Sequence, residues 1–237
     1  MIKILITGAS GFVGGNFLQR FSNRGDIEIH GVSRRARPWE NYTQIDLSQG
    51  LDINFKPDVV IHAAAHVSPW GSQKTFFDKN ILATENVIRF CEKNDHPKLI
   101  YVSSSSVYYH DKPQLNITEN SPIGPDFIND YAASKYAGEE RVRKYSGKKV
   151  ILRPRAIFGP GDTVLFPRLL EVAKKERLPL FTTPEPVIGD LIYVLATRNL
   201  SLLSLGLRLL ALLGLCCIAL NCRKSPRFFK LISVMFW

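Results

Sequence analysis

Tyr131 and Lys135 stand four residues apart in NDYAASKYAGEE, downstream of a serine cluster, SSSSVY, at 103–108. On a helix, residues i and i+4 share a face. A phenol ordinarily loses its proton near pH ~10. A neighbouring ammonium favours the phenolate and lowers that value, which makes Tyr131 a usable general acid or base near neutrality. The serine hydroxyls could hold a substrate oxygen. A glycine-rich start, ITGASGFVGG at 6–15, offers a loop for a cofactor pyrophosphate. Together these groups are the equipment for moving a hydride to or from a carbonyl.

The elements that must position them follow from patterning. Ile2, Ile4, Leu5 and Ile6 form a short apolar run, read as a parallel strand buried on both faces. Gly8, Gly11 and Gly14 follow, and then the helical spacing Phe17, Leu18, Phe21. In a dinucleotide-binding turn the first glycine permits the bend, the second lets the main chain approach the pyrophosphate, and the third lets helix and strand pack. Helix-start N–H groups then meet the phosphates. The spacing is GxxGxxG rather than GxGxxG, and an ordinary strand-to-helix turn is the alternative. Gly8, Ser10, Gly11, Phe12, Val13 and Gly14 are the candidate contacts.

A second strand, Ile27–Val32, ends in Ser33-Arg34-Arg35. An acid here would bind the ribose 2′-hydroxyl of NAD, whereas an arginine accommodates the 2′-phosphate of NADP. No Asp or Glu lies between Gly31 and Trp39, and arginines occupy 34, 35 and 37. NADP(H) is favoured and NAD(H) stays open; the alternative is a solvated basic loop. Asp46 and Leu47 follow a short third strand, and a fourth covers 59–68, with Ala63, Ala64 and Ala65 small enough for a cofactor to lie against. The fifth strand, within 99–109, runs into the serines at its C-terminal end, where open α/β folds bind ligands. Asn129 or Asp130 reads as the N-cap of a helix to about Tyr145, with Gly147 as its stop.

On these residues the chain resembles the extended short-chain dehydrogenase/reductase family, which holds nucleotide-sugar epimerases, dehydratases and 3β-hydroxysteroid dehydrogenases. TGASGFVG, DL at 46–47, VIHAAA, SSSSVY, YAASK and LRPRAIFGPGD carry the resemblance, across nearly all of 1–194. It implies a Rossmann-type doubly wound parallel sheet of the α/β class, with an incomplete C-terminal substrate lobe. It further implies Ser104 as the catalytic hydroxyl, Tyr131 as the acid/base, and Lys135 as the ribose-binding residue that tunes it. Asp46 and Leu47 match adenine contacts, Arg34 the cofactor-specificity position, Asn80 an asparagine that orders the site, and Pro154 a further cofactor contact. Family dehydratases carry acids directly after the catalytic hydroxyl. Ser105 and Ser106 stand there instead, which argues against water elimination. HVSPWG and LRPRAIFGPGDTVLFPRLL resemble the 3β-hydroxysteroid dehydrogenase-like branch, in particular bacterial 2-alkyl-3-oxoalkanoate reductases. The implied activity is therefore an oxidoreductase acting on a 3-oxo or 3-hydroxy substrate, with a nucleotide-sugar 4-epimerase holding NAD tightly as the alternative. A cofactor-binding protein inactive through truncation is the other.

At 237 residues the chain can bury one core, or a core plus a small lobe. Six of the ten excess positive charges fall after residue 194, leaving +4 before it, so no nucleic-acid face is expected. Cys216, Cys217 and Cys222 lack metal-ligand spacing, and no metal is expected. The first strand opens at Ile2, so no leader is expected and a cytoplasmic location is. A small-molecule substrate is the expected partner, and a homodimer is open. Two domains are read: 1–194, a dinucleotide-binding domain with the start of a substrate lobe from about 155, and 195–237, a leucine-rich basic tail without acids. The tail fits either a membrane helix at about 200–220, against which Arg208 counts, or a frameshifted or truncated gene. Truncation is favoured, with membrane association as the alternative.

Overall fold

The apolar opening run is a central strand. In the computed structural model, which describes residues 1–68, 70–110, 114–175, 191–194 and 217–218, β1 (Ile2–Thr7) pairs in parallel with β2 (Ile27–Ser33) and β4 (Val59–His62). With β3 (Tyr42–Gln44), β5 (Lys98–Val102) and β6 (Lys149–Leu152), they form a six-stranded parallel sheet in the order β3-β2-β1-β4-β5-β6. This is the doubly wound order, whose direction of winding reverses between β1 and β4; ligands of such sheets bind at that switch point. Ile4, Leu5, Ile6, Val60, Ile61, Leu99 and Ile100 are all buried, as two covered faces require. Each such side chain contributes roughly 1.5–3 kcal/mol relative to an exposed one.

The helices cover those faces. α1 (Phe12–Phe21) buries Phe17, Leu18 and Phe21. A continuous helical run is built of α2 (Gln73–Phe76), a π-helical turn (Phe77–Leu82) and α3 (Ala83–Lys93). Ser72 caps its start by accepting from the Thr75 N–H at 3.2 Å. Val87, Phe90 and Cys91 of α3 pack with Leu5, Val60, Leu99 and Tyr101. α4 (Asp130–Lys144) starts at Asn129, whose side chain accepts from the Ala132 N–H at 2.9 Å.

Three expectations change. The fourth strand stops at His62 rather than 68, because the main chain of Ala63–Ala64 turns to lie against Gly8. The fifth strand stops at Val102, and Ser105–Tyr108 form a short 3₁₀ turn capped by Ser104, which accepts from the Ser106 N–H at 3.2 Å. Gly147 does not take the positive φ of a glycine stop; α4 ends at Lys144, with Tyr145 as its C-cap at φ −59° and ψ 131°. A side chain at 147 would meet the Tyr145 ring, with a Cβ 2.5 Å from its hydroxyl oxygen.

The chain divides into two compact units, Met1–Pro154 and Arg155–Trp237. In the second, β7 (Ala156–Phe158) pairs in parallel with β8 (Leu191–Tyr193), and β8 pairs antiparallel with β9 (Cys217–Ile218). α5 (Phe166–Lys174) follows the Asp162 carboxylate, which accepts from the N–H groups of Val164, Leu165 and Phe166. Leu165, Leu169 and Leu191 form this unit's small core. Apart from β9, the leucine-rich tail from 195 onward lies outside the described residues. No helix among the described residues is long and apolar enough to cross a membrane.

Candidate active site

The glycine loop joins β1 to α1 at the switch point. Gly8 adopts φ +72°, a conformation that L side chains rarely take, and a Cβ there would lie 2.8 Å from the Ala64 nitrogen. A Cβ on Gly14 would lie 2.4 Å from the Gly8 carbonyl oxygen. Gly11 is the N-cap of α1, with no side chain capping the helix and no acid in its first turn. The N–H groups of that turn, which includes Phe12 and Val13, are left to meet an anion. These observations fit a dinucleotide pyrophosphate.

Beside the loop, the Ser33 hydroxyl donates to Ser10 at 2.6 Å and lies 2.6 Å from that of Tyr42. This chain ties the end of β2 to the loop. Arg34 is exposed, and its carbonyl accepts from the Gln44 side chain at 2.9 Å. Asp46 accepts from Lys79 at 2.6 Å and from the Ser48 hydroxyl at 2.8 Å. Burial opposes its ionisation, but these donors win and hold its carboxyl at about 2. The Leu47 side chain belongs to the core, and its carbonyl accepts from Asn86 at 2.7 Å. Ala63, Ala64 and Ala65 follow β4 directly.

A buried polar chain crosses the switch point. The Thr84 hydroxyl donates to the Asn80 carbonyl at 2.6 Å, so it accepts from His62 Nε2 at 2.9 Å. His62 Nδ1 is therefore the acceptor, and it takes the Thr7 proton at 2.7 Å. The Thr7 oxygen in turn accepts from the Ala64 N–H at 3.2 Å. Burial, with Lys135 adding to it, lowers His62 to about 3, and the ring stays neutral. Asn80, buried in the π-helical turn, accepts from the His66 N–H at 2.7 Å and donates to the Ser134 hydroxyl at 2.9 Å.

Ser104 follows the end of β5, and Tyr131 and Lys135 stand one turn apart near the start of α4. The Ser104 hydroxyl lowers the Tyr131 phenol against the rise that burial imposes, and Pro154 just past the end of β6 accepts from the Ser105 N–H at 3.0 Å. Lys135 is 1% exposed, with its Nζ 4.1 Å from the centre of the Tyr101 ring. Burial lowers its ammonium to about 7, against the pull of Glu139. The expectation that this ammonium lowers Tyr131 is corrected. Burial raises the phenol, Ser104 partly offsets that rise, and Tyr109 adds to it.

Three residues of this corner, Glu139, Arg143 and Arg153, were given no role by the sequence reading. The Glu139 carboxylate, fully buried, accepts from Ser103 at 2.6 Å, from Arg153 at 2.9 and 2.6 Å, and from Arg143 at 3.1 Å. Arg153 also donates to the Tyr108 hydroxyl. One signal was available: Ala132, Lys135, Glu139 and Val142 occupy the buried stripe of α4, so two charges stand where a helix core stripe is normally apolar.

The strand order and this loop define an α/β dinucleotide-binding fold. The chain belongs to the NAD dependent epimerase/dehydratase family, whose model matches residues 4–195. It is 34% identical over 193 residues to the 2-alkyl-3-oxoalkanoate reductase of Stenotrophomonas maltophilia, covering 76% of this chain and 58% of that protein. It is 31% identical over 197 residues to the decarboxylating sterol-4-alpha-carboxylate 3-dehydrogenase of Schizosaccharomyces pombe, covering 73% and 55%. The chain thus spans little more than half the length of these curated relatives. Among solved structures, WbmH of Bordetella bronchiseptica in complex with NAD+ superposes with a TM-score of 0.69 at 19% identity, covering 81% of this chain and 68% of that one.

Proposed function

We propose that the chain is an NADP(H)-dependent oxidoreductase that interconverts a carbonyl and a secondary alcohol on a 3-oxo or 3-hydroxy substrate. What supports this reading is Tyr131 at the start of α4, its phenol lowered by Ser104 against the pull of burial, with buried Lys135 one turn further along the helix. The resemblance to reductase and 3-dehydrogenase relatives supports this substrate class. Residues 1–194 act as the dinucleotide-binding domain with the start of a substrate lobe from about 155, and the leucine-rich segment from 195 follows it.

Bound at the glycine loop, the nicotinamide cofactor supplies or receives the hydride. Gly8, Ser10, Gly11, Phe12, Val13 and Gly14 receive its pyrophosphate. Ser33 and Arg34 meet the 2′-phosphate. Asp46 and Leu47 border the adenine, and Ala63, Ala64, Ala65, Asn80 and Pro154 complete the walls. The hydroxyls of Ser104 and Tyr131 hold the substrate oxygen, and Tyr131 gives it a proton during reduction or takes one during oxidation. A phenol raised by burial is protonated at neutrality, the form that reduction needs. Lys135 binds the ribose and supplies charge beside the phenol.

A nucleotide-sugar 4-epimerase is the second reading. It is supported by 28% identity over 225 residues to a putative UDP-glucose 4-epimerase of Methanocaldococcus jannaschii, covering 86% of this chain and 73% of that protein. Incubating the purified chain with NADPH and a 2-alkyl-3-oxoalkanoate separates the two. Consumption of NADPH absorbance with formation of the 3-hydroxy product supports the reductase. NAD retained through purification, with UDP-sugar epimerised and no net cofactor turnover, overturns it. So does cofactor binding with no hydride transfer at all.

A further inference from the structure

The buried carboxylate of Glu139 is joined to three elements at once. It lies on α4, one turn beyond Lys135. It accepts from Ser103, the neighbour of Ser104, at the end of β5, and from both Nε and Nη2 of Arg153 at the end of β6, next to Pro154. Ser104 and Pro154 are therefore one residue away from groups this carboxylate binds, while Lys135 lies one helical turn and Tyr131 two turns from it along α4. A carboxylate with no access to water is costly unless its oxygens are filled. Here four hydrogen bonds fill them.

We propose that Glu139 is a positioning residue for the reaction, whose carboxylate locks the ends of β5 and β6 to α4 and holds its negative charge one helical turn from Lys135. The inference rests on the reading of Ser104, Tyr131 and Lys135 as the reacting corner.

The electrostatic surroundings leave this role to Glu139. Tyr131 faces the site from α4 and Tyr101 from β5; burial raises both phenols, so both are neutral near pH 7. His62 on β4 is neutral as well, and the helical run offers only the uncharged Asn80 and Thr84. Arg153 from β6 and Arg143 on α4 are cations paired to Glu139 itself. Among the described residues, Glu139 is the anion acting on Lys135, from one turn away and against the burial that strips the ammonium of water. A purely architectural brace would be indifferent to which partner of the Glu139–Arg153 pair is removed. A brace that also holds the charge of Lys135 responds in opposite directions to the two losses.

The test is a pH titration of the lysine side-chain ¹⁵N resonances of the full chain, with Lys135 assigned by its disappearance in Lys135→Met. Glu139→Gln removes the anion and leaves Arg153 uncompensated. The Lys135 midpoint should fall by at least about one pH unit. Arg153→Gln removes a cation and leaves the carboxylate, and the midpoint should rise. Glu139→Asp should return at least half of the drop. If Glu139→Gln does not fold, the rise in Arg153→Gln and the position of Glu139→Asp still decide the matter. An unchanged midpoint, or the same direction of movement in both variants, overturns the proposal. The titration uses neither substrate nor cofactor, so failure of the oxidoreductase reading would show in the turnover assay and leave this result intact.

Discussion

Around Gly8 and Gly14 the molecule is held by main chain lying on main chain, whereas around Lys135 it is held by charged side chains withdrawn from water. The glycine loop leaves no room for a Cβ and needs no charge of its own. The corner around Lys135, proposed to be catalytic, buries a lysine and a glutamate with an arginine at their side. The difference fits their tasks. A pyrophosphate is bound by close approach of backbone N–H groups, while a proton-transfer site needs its charges fixed before the substrate arrives.

The contrast breaks first at Gly14. Gly14→Val puts a branched side chain into the Gly8 main chain, which has no flexible end to move aside. Overpacking of this kind costs roughly 3 kcal/mol, a fall in Tm of about 6–12 °C for a chain of this size. Thermal melts should show that drop, and NADPH titration should show no binding. A variant that melts and binds as the wild type does would mean the loop is not closed as described.

This half of the molecule was legible in the sequence, because glycine spacing between an apolar strand and a helical pattern has few other uses. The parallel sheet and the Asn129 start of α4 were legible on similar grounds. The other half was hidden. Glu139, Arg143 and Arg153 look like solvated surface charges in a one-dimensional reading, since Glu and Arg are rarely buried unless paired. Only the fold reveals that β6 brings Arg153 to α4. The direction of the Tyr131 shift was misread for the same reason. The Tyr-Lys spacing is visible in the sequence, but the depth of burial that outweighs it is not.

Lys135→Met sharpens the comparison from the charged side. Lys135 falls from an ordinary 10.5 to about 7 in the folded chain. Between those values the unfolded chain binds more protons, so this group's contribution to stability rises with pH across that window. The burial penalty is fully present below about pH 7. Lys135→Met removes it, so the variant should be more stable than the wild type at pH 6.5, by on the order of a few kcal/mol. The advantage should shrink by pH 9.5, and turnover should fall roughly 10²-fold. Melts at the two pH values check the sign; a constant difference would mean that Lys135 titrates normally.

A smaller effect is expected at Arg34, where charge is exposed rather than buried. Hydrogen bonds to charged groups contribute about 1.5–3 kcal/mol, so Arg34→Ala should weaken NADPH roughly ten- to a hundredfold and leave NADH nearly unchanged. Nicotinamide fluorescence titrations measure both. Salt should erode the preference, because exposed charges are screened. Equal affinities of the wild type for the two cofactors would mean that Ser33-Arg34-Arg35 is only a solvated loop.

The central claim is that the proton comes from Tyr131. Its most direct test is the single-turnover rate of NADPH oxidation with a 2-alkyl-3-oxoalkanoate, compared between the wild type and Tyr131→Phe under saturating cofactor. The hydroxyl is lost while the ring and its packing remain, so NADPH affinity should hold and the rate should fall at least ~10²-fold. Near-equal rates in the two proteins, or no oxidation by the wild type, would contradict the account.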